Sequence, residues 1–328
     1  MSFGKDIIIA AQTELAKRKS RAENLQQQRR SEVLLKVPEI AAAERELAQT
    51  GLDVVKAIGM GADARSYLEN LAKTNLALQE KIKLLLVSNG YPENYLETDY
   101  VCKKCEDTGY VEGTPCSCRR ILLKELALKK LYSNSRAAQC TFESFNLDYY
   151  SDRPDERFGI SAKEQMKNIL EYCRCYADDF DCSSPSLYLF GQTGLGKTHL
   201  TLAIAGVVTA SGYNVIYDSA QNIFNRLERE HFRSSRSDEY DGAEQELLDC
   251  DLLIIDDLGS EFTTQFTVAA LYNVLNTRLN CDKPVIISTN LDAHALEEKY
   301  SPRITSRIMG GYTPLHFLGN DIRQKLNN

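Results

Sequence analysis

The sequence predicts an α/β protein, with a mostly parallel sheet covered by helices on both faces and confined to the C-terminal part of the chain. From residue 186 onward, short apolar runs recur at Leu187–Phe190, Val215–Tyr217, Leu252–Ile255, Val285–Ile287 and Leu315–Phe317. Helical patterns separate these runs, and such alternation buries a parallel sheet between helices. The first run leads at once into a glycine-rich turn, and a helical pattern follows from His199 to Val208.

The segments before the sheet differ in kind. Residues 1–98 form a helical N-terminal region rich in Ala, Leu, Glu, Gln, Lys and Arg, all good helix formers. Pro38 suits the first turn of a second helix. Gly59-Met60-Gly61 marks a break, and a third helix is expected from about Asp63 to Val87. There Leu68, Leu71, Asn75, Leu78, Ile82 and Leu85 fall at helical spacing, and Asn89-Gly90 and Pro92 end the pattern. These stripes fit a helical bundle with a charged solvated face, or a docking surface for a protein partner. Residues 99–120 are a cysteine module. Residues 121–185 are a connector with one helix at Ile121–Leu131, and residues 186–328 are the α/β domain.

Composition narrows the function. Of 328 residues, 43% are hydrophobic and 26% charged, as in a soluble globular protein with a sizeable core. No apolar run reaches the roughly 18 residues that span a bilayer, so no membrane role is expected. The apolar patch within Met1–Ala11 lacks a basic leader and a cleavage site, so it is not read as a signal peptide and the expected location is cytoplasmic. The net charge of −7 argues against a dedicated duplex-DNA binder, although residues 1–90 carry +3 and the rest −10. Ten cysteines in a reducing cytosol do not suggest a disulfide framework. Six of them, Cys140, Cys173, Cys175, Cys182, Cys250 and Cys281, are scattered and read as small buried hydrophobes.

The glycine turn is the most specific motif. Gly191-Gln192-Thr193-Gly194-Leu195-Gly196-Lys197-Thr198 fits G-x-x-x-x-G-K-[ST] in full, between a strand and a helix as that motif requires. Glycines let successive backbone N–H groups point at phosphate oxygens, and the helix N-terminus adds its positive end. Lys197 serves the β- and γ-phosphates of ATP, Thr198 offers a hydroxyl to Mg²⁺, and His199 follows directly in the helix and is grouped with the cofactor-binding residues. Leu252-Leu253-Ile254-Ile255 then delivers Asp256 and Asp257 to the C-terminal end of a buried strand, where open α/β sheets place their ligands. Asp256 is the Mg²⁺ carboxylate and Asp257 the residue that polarises the attacking water. The next strand ends in Ser288-Thr289-Asn290. Asn290 is the choice for sensing the γ-phosphate and Thr289 the second; the plain alternative is a turn into a cap at Asp292.

Two arginine sites follow. Arg303 and Arg307 lie four apart on a short helix and share one face. Arg307 is the candidate finger for a neighbouring subunit's γ-phosphate and Arg303 the runner-up; the alternative is surface pairing with Glu297 or Glu298. Arg323, after Gly319-Asn320-Asp321, either reaches nucleotide in its own subunit or is a solvated terminal arginine. A finger acting in trans requires self-association into a ring or helical oligomer.

Cys102-Lys103-Lys104-Cys105 precedes Cys116-Ser117-Cys118, with turn-forming Gly109, Gly113 and Pro115 between. Four thiolates at this spacing resemble a Cys₄ zinc knuckle of structural role. A redox dithiol and plain buried cysteines are the alternatives.

Taken together, these motifs resemble the bacterial replicative-helicase loaders of the DnaC/DnaI type, most strongly from Tyr188 to Arg323. The resemblance implies an AAA+ P-loop ATPase with a parallel sheet and a reduced lid, preceded by a helical arm and a small zinc-binding module. It implies ATP, Mg²⁺ and Zn²⁺ as cofactors. It also implies two partners: a hexameric DnaB-type replicative helicase, bound through the N-terminal region, and single-stranded DNA. In these loaders the segment after the paired acids lines the DNA path, and Thr264 and Phe266 fall there, Phe266 to stack on a base and Thr264 to bond a phosphate. Helix cap and core are the alternatives for that pair. Arg226, Arg229, Arg233 and Arg236, interleaved with Phe232 and Tyr240, extend the path or form a solvated loop. Many AAA+ proteins carry Glu where Asp257 stands; the shorter side chain implies slow turnover. An IstB-type transposition ATPase shares the core but generally lacks the arm and the cysteine module. An ATP-binding adaptor with little turnover is the other alternative.

Overall fold

The structure, a computed structural model, describes residues 3–57, 64–132, 139–234 and 242–323. The expected glycine break at 59–61 lies outside them, as do Arg236 and Tyr240. The chain divides into two compact units, Gln12–Arg119 and Arg120–Asn328, the second including Met1–Ala11. Among the described residues no helix is long and apolar enough to cross a membrane.

The helical unit is built from α1 (Lys5–Lys36), α2 (Pro38–Ala57) and α3 (Ala64–Ser88). Pro38 opens α2, where its missing N–H has no intrahelical partner to lose. Val33, Val37, Ile40 and Leu86 form a small core, with Ile82, Leu85, Tyr91 and Tyr95 packed against it. Asn75, the polar member of the predicted α3 stripe, accepts a hydrogen bond from the buried Thr50 hydroxyl at 2.5 Å. A hairpin of β1 (Tyr110–Val111) and β2 (Thr114–Pro115) follows. Helix α4 (Ser117–Leu131) starts before the expected Ile121, so Cys118 lies in its first turn.

The second unit carries α5 (Ala162–Asp178), β3 (Ser186–Phe190), α6 (Lys197–Ser211), β4 (Val215–Ser219), α7 (Ala220–Ser234), α8 (Ala243–Asp249), β5 (Leu252–Leu258), α9 (Gln265–Asn280), β6 (Val285–Thr289), α10 (Ala293–Lys299), α11 (Pro302–Gly311) and β7 (Tyr312–His316). The strands form one parallel sheet in the order β4-β5-β6-β3-β7. The uninterrupted apolar runs are explained by burial on both faces. Leu187, Leu189, Leu252, Ile254 and Ile286 join one core with α5 and α6. Their neighbours Tyr188, Leu253, Ile255, Val285 and Ile287 join the other with α7, α9 and α11.

Two elements differ from expectation. Strand β7 begins at Tyr312, and Phe317 lies just past its end, donating its N–H to Phe190 O at 2.8 Å. Helix α5 occupies part of the stretch read as connector. Ser161 caps it, accepting from the Glu164 N–H, and Met166, Ile169 and Cys173 enter the α6 side of the core.

Candidate functional site

The sheet order sets the site. Strand β6 lies between β3 and β5, so the turn after β3, the acids of β5 and the polar end of β6 converge at one edge. Gly191, Gly194 and Gly196 all have positive φ. At Gly196 a side chain would also meet the Phe145 ring, which backs the loop. Tyr150 donates its hydroxyl to Leu195 O at 2.9 Å, and the Ile322 N–H donates to Gly194 O at 3.0 Å. Leu195 anchors the loop in the core, while Gln192 and Thr193 face solvent.

Lys197 is buried, and its Nζ donates to Gly191 O at 2.8 Å, Gln192 O at 2.7 Å and Asn290 Oδ1 at 2.7 Å. All three partners are neutral oxygens. A buried ammonium without a carboxylate partner has its burial penalty only partly offset, and a phosphate would supply the countercharge. Asn290 turns its other amide atom on Asp257, with Nδ2 donating to Oδ1 at 3.0 Å. One asparagine therefore links the loop lysine to the second acid.

The acids are aimed by a bulge. The β5–β6 register shifts between Ile255 and Leu258, and Asp257 has φ 54°, an uncommon conformation that aspartate tolerates. Asp256 points to Thr198, whose hydroxyl donates to Oδ2 at 2.9 Å. The Tyr217 hydroxyl donates to the same oxygen at 2.8 Å, and the Ser288 hydroxyl donates to Oδ1 at 2.5 Å. A hydroxyl and a carboxylate side by side are hard oxygen donors that suit Mg²⁺. Thr289, the second choice as sensor, instead bonds Leu258 O at 2.5 Å.

The four cysteines of the helical unit form a separate cluster. Their sulfurs lie within 4.8 Å of one another, with Cys102–Cys116 at 3.8 Å and Cys105–Cys118 at 3.3 Å. Four sulfurs about 2.3 Å from a tetrahedral zinc would be about 3.8 Å apart, so the set fits that ion. Asp107, buried and absent from the motif reading, holds the first knuckle: its carboxylate accepts from Val101 N and Cys102 N, both at 2.9 Å. Neighbouring hydrogen bonds, foremost the Cys118 backbone, hold the Cys116 thiol down to about 6, whereas burial pushes Cys105 up.

Residues 166–304 match the family model described as IstB-like ATP binding protein. That match spans less than half of the chain. The replicative helicase loader DnaC of Buchnera aphidicola subsp. Baizongia pistaciae is 21% identical over 207 residues, covering 63% of this chain and 76% of that one. The phage-like element PBSX protein XkdC of Bacillus subtilis is 28% identical over 218 residues, covering 60% and 74%. The crystal structure of the DnaC helicase loader superposes with a TM-score of 0.46 at 19% identity, covering 56% of this chain and all of that one. The loader among these relatives agrees with the resemblance to DnaC-type proteins read from the sequence.

The other expected site residues have contacts of their own. His199 Nε2 is 2.7 Å from Thr141 O and 3.2 Å from Ser144 Oγ, so the imidazole ties residues 139–145 to α6. Arg307 is half-buried, its Nη2 donating to the Tyr272 hydroxyl at 2.8 Å and its guanidinium 4.9 Å from the Tyr272 ring centroid. Arg303 on the same helix is exposed. Arg323 is exposed, and its charge reaches Lys197. Thr264 caps α9, accepting from Thr267 N at 3.2 Å. Phe266 is half-buried against the core, with its ring centroid 5.0 Å from that of His231. The aromatic that stands out on this loop is Phe262, 88% exposed. Arg226 pairs with Glu246 at 2.8 Å.

Burial pushes the Lys197 ammonium down to about 8, and Arg323 adds to the depression while Asp257 and Asp256 oppose it. A bound phosphate favours the charged form. Between about pH 8 and the ordinary lysine range, nucleotide binding should therefore take up a proton and weaken as pH rises; below that window both states are charged and this dependence vanishes. Calorimetry of ADP binding at about pH 9, in two buffers of different ionisation enthalpy, measures the uptake. Identical heats would show that the free lysine is already charged.

Proposed function

We propose that this chain is an ATP-dependent loader that binds a hexameric DnaB-type replicative helicase and places it on single-stranded DNA. The observation that carries the ATP part is the buried Lys197, whose hydrogen bonds among the described residues go to neutral oxygens, beside a Thr198–Asp256 pair. In this reading Asp257 orients the attacking water, Asn290 senses the γ-phosphate, and Thr198 and Asp256 hold Mg²⁺. Asp257 is short and already bonded to Asn290, which favours slow turnover that partners stimulate.

The loader part rests on the separate helical unit. Leu76 and Leu84, eight residues apart on α3, are 63% and 68% exposed and offer apolar surface to a partner. Zinc on Cys102, Cys105, Cys116 and Cys118 would fix the segment that follows this arm. Residues 1–98 are accordingly the helicase-docking region, residues 99–120 the zinc module, residues 121–185 the connector and residues 186–328 the ATPase domain. Thr264, Phe266 and the exposed Phe262 are the DNA contacts proposed on the loop after Asp257. His199 and Arg323 complete the cofactor side, His199 by holding α6 and Arg323 by its charge.

The test is ATP turnover and complex formation with a DnaB-type helicase, with and without single-stranded DNA. Co-sedimentation and stimulated turnover are expected; neither occurring with active helicase would sink the loader reading and leave the transposition ATPase or the adaptor. The same assay separates the arginines. A finger is worth about 10³–10⁵ in rate. Arg303→Ala should abolish stimulation while nucleotide affinity is unchanged. If Arg307→Ala abolishes it and Arg303→Ala does not, the Tyr272 contact must open on assembly.

A further inference from the structure

Tyr217 belongs to none of the motifs, yet it touches the metal pole. It lies on β4, paired with β5 so that Tyr217 is opposite Ile254 and Ser219 opposite Asp256. Its ring lies beside the α6 side of the core, and its hydroxyl reaches Asp256 Oδ2 at 2.8 Å. Three hydroxyls from three elements thus surround one carboxylate: Thr198 of α6 and Tyr217 of β4 on Oδ2, and Ser288 of β6 on Oδ1.

The three are not equivalent. Thr198 is itself a proposed metal ligand, so its oxygen lone pair has another use. Ser288 also accepts the Asp257 N–H at 2.9 Å and thereby belongs to the β5–β6 junction. Tyr217 has neither duty. The hydroxyl's one hydrogen bond among the described residues is to Asp256, delivered by a rigid side chain anchored in a strand. A phenylalanine would keep the ring packing but not this bond.

We propose that Tyr217 is a positioning residue that locks the Asp256 carboxylate in the plane where Oδ2 and the Thr198 hydroxyl face one divalent cation together. Hydrogen bonds that orient a ligating carboxylate typically alter metal affinity or activity by about 10–100-fold when removed. Two effects of losing the phenol oppose each other: the carboxylate becomes freer to rotate and also slightly more basic. Orientation dominates here, because Thr198 and Ser288 are single-rotor hydroxyls with competing partners.

This inference rests on the nucleotide–magnesium reading. The test is a magnesium titration of fluorescent ADP binding to full-length wild type and Tyr217→Phe, with metal-free ADP binding in EDTA as a second measurement. The variant should need about 10-fold more magnesium for half-maximal tight binding, with unchanged metal-free affinity. Ser288→Ala, which removes the donor on the other oxygen, should shift the titration in the same direction. An unchanged or lower magnesium requirement in Tyr217→Phe overturns the proposal. Loss of metal-free binding as well would also overturn it, because the hydroxyl would then support the whole loop. Wild type that binds no nucleotide at saturating magnesium would instead overturn the underlying ATP reading.

Discussion

Lys197→Ala is expected to abolish nucleotide binding while leaving the fold intact. Each charge-assisted hydrogen bond is worth about 1.5–3 kcal/mol, and the lysine serves two phosphates, so about 3–6 kcal/mol is at stake. At about 1.4 kcal/mol per tenfold, that is roughly 10²–10⁴ in affinity. The fold should not suffer, because the ammonium is costly where it sits. Its depressed pKa means that the folded state resists protonation. Its burial is therefore a penalty at neutral pH, and one that fades as pH rises through the window between about 8 and the unfolded lysine value. Removing the side chain removes the penalty. The exposed Gln192 can hand its carbonyl to water, and Asn290 keeps its bond to Asp257. Titration with a fluorescent, non-hydrolysable ATP analogue and thermal unfolding together check this. Retained tight binding would refute the phosphate role, whereas a collapsed melting temperature would make Lys197 a structural residue.

What the sequence disclosed, and what it hid, follows from the range of each contact. The loop from Gly191 to Thr198 announces itself because its chemistry is local: glycines, a lysine and a hydroxyl in one turn. The acids after Leu252–Ile255 were as clear, since four apolar residues can end in two carboxylates only where a buried strand emerges. Asn290 followed from the same logic on the next strand. Tyr217 could not, because its meaning depends on β4 lying beside β5, a pairing that no periodicity encodes. Asp107 was hidden differently: the cysteine spacing drew attention to sulfur, while the carboxylate acts on the backbone of the knuckle. The arginine helix is legible from its spacing, but which of its two cations is exposed depends on Tyr272 of α9, distant in sequence. Helix α5 escaped because Tyr172, Cys173, Cys175 and Tyr176 weaken its local helical pattern, although Met166, Ile169 and Cys173 supply a buried face.

Arg278→Ala should do the opposite of Lys197→Ala, lowering stability sharply while sparing the nucleotide site of the folded protein. Arg278 is 0% exposed, and its hydrogen bonds among the described residues go to backbone carbonyls and the Cys250 sulfur. Its Nη1 donates to Leu247 O at 2.7 Å and Cys250 O at 2.9 Å, and its Nη2 to Pro284 O at 2.8 Å. The guanidinium therefore gathers carbonyls from the end of α8, where the helix is partly negative, and from the entry to β6. Truncation strands these acceptors and opens a cavity, each unsatisfied group costing about 1–3 kcal/mol. A total near 3–5 kcal/mol is comparable to breaking a buried charged contact. At roughly 2–4 °C per kcal/mol for a unit of this size, the melting temperature should fall by about 10 °C. Arg278→Lys should lie between, since one ammonium cannot span both acceptor groups. Arg278→Met separates the causes: near-complete rescue would mean that volume matters and the carbonyls find water. The nucleotide effect decides the rest. Arg278 lies where β5 and β6 begin, whereas Lys197, Asp256 and Asn290 lie where the strands end. Excess ATP at about 100 times its Kd should therefore return about 2.7 kcal/mol to the variant as it does to wild type. A smaller return in Arg278→Ala would show that the damage crosses the sheet from one edge to the other.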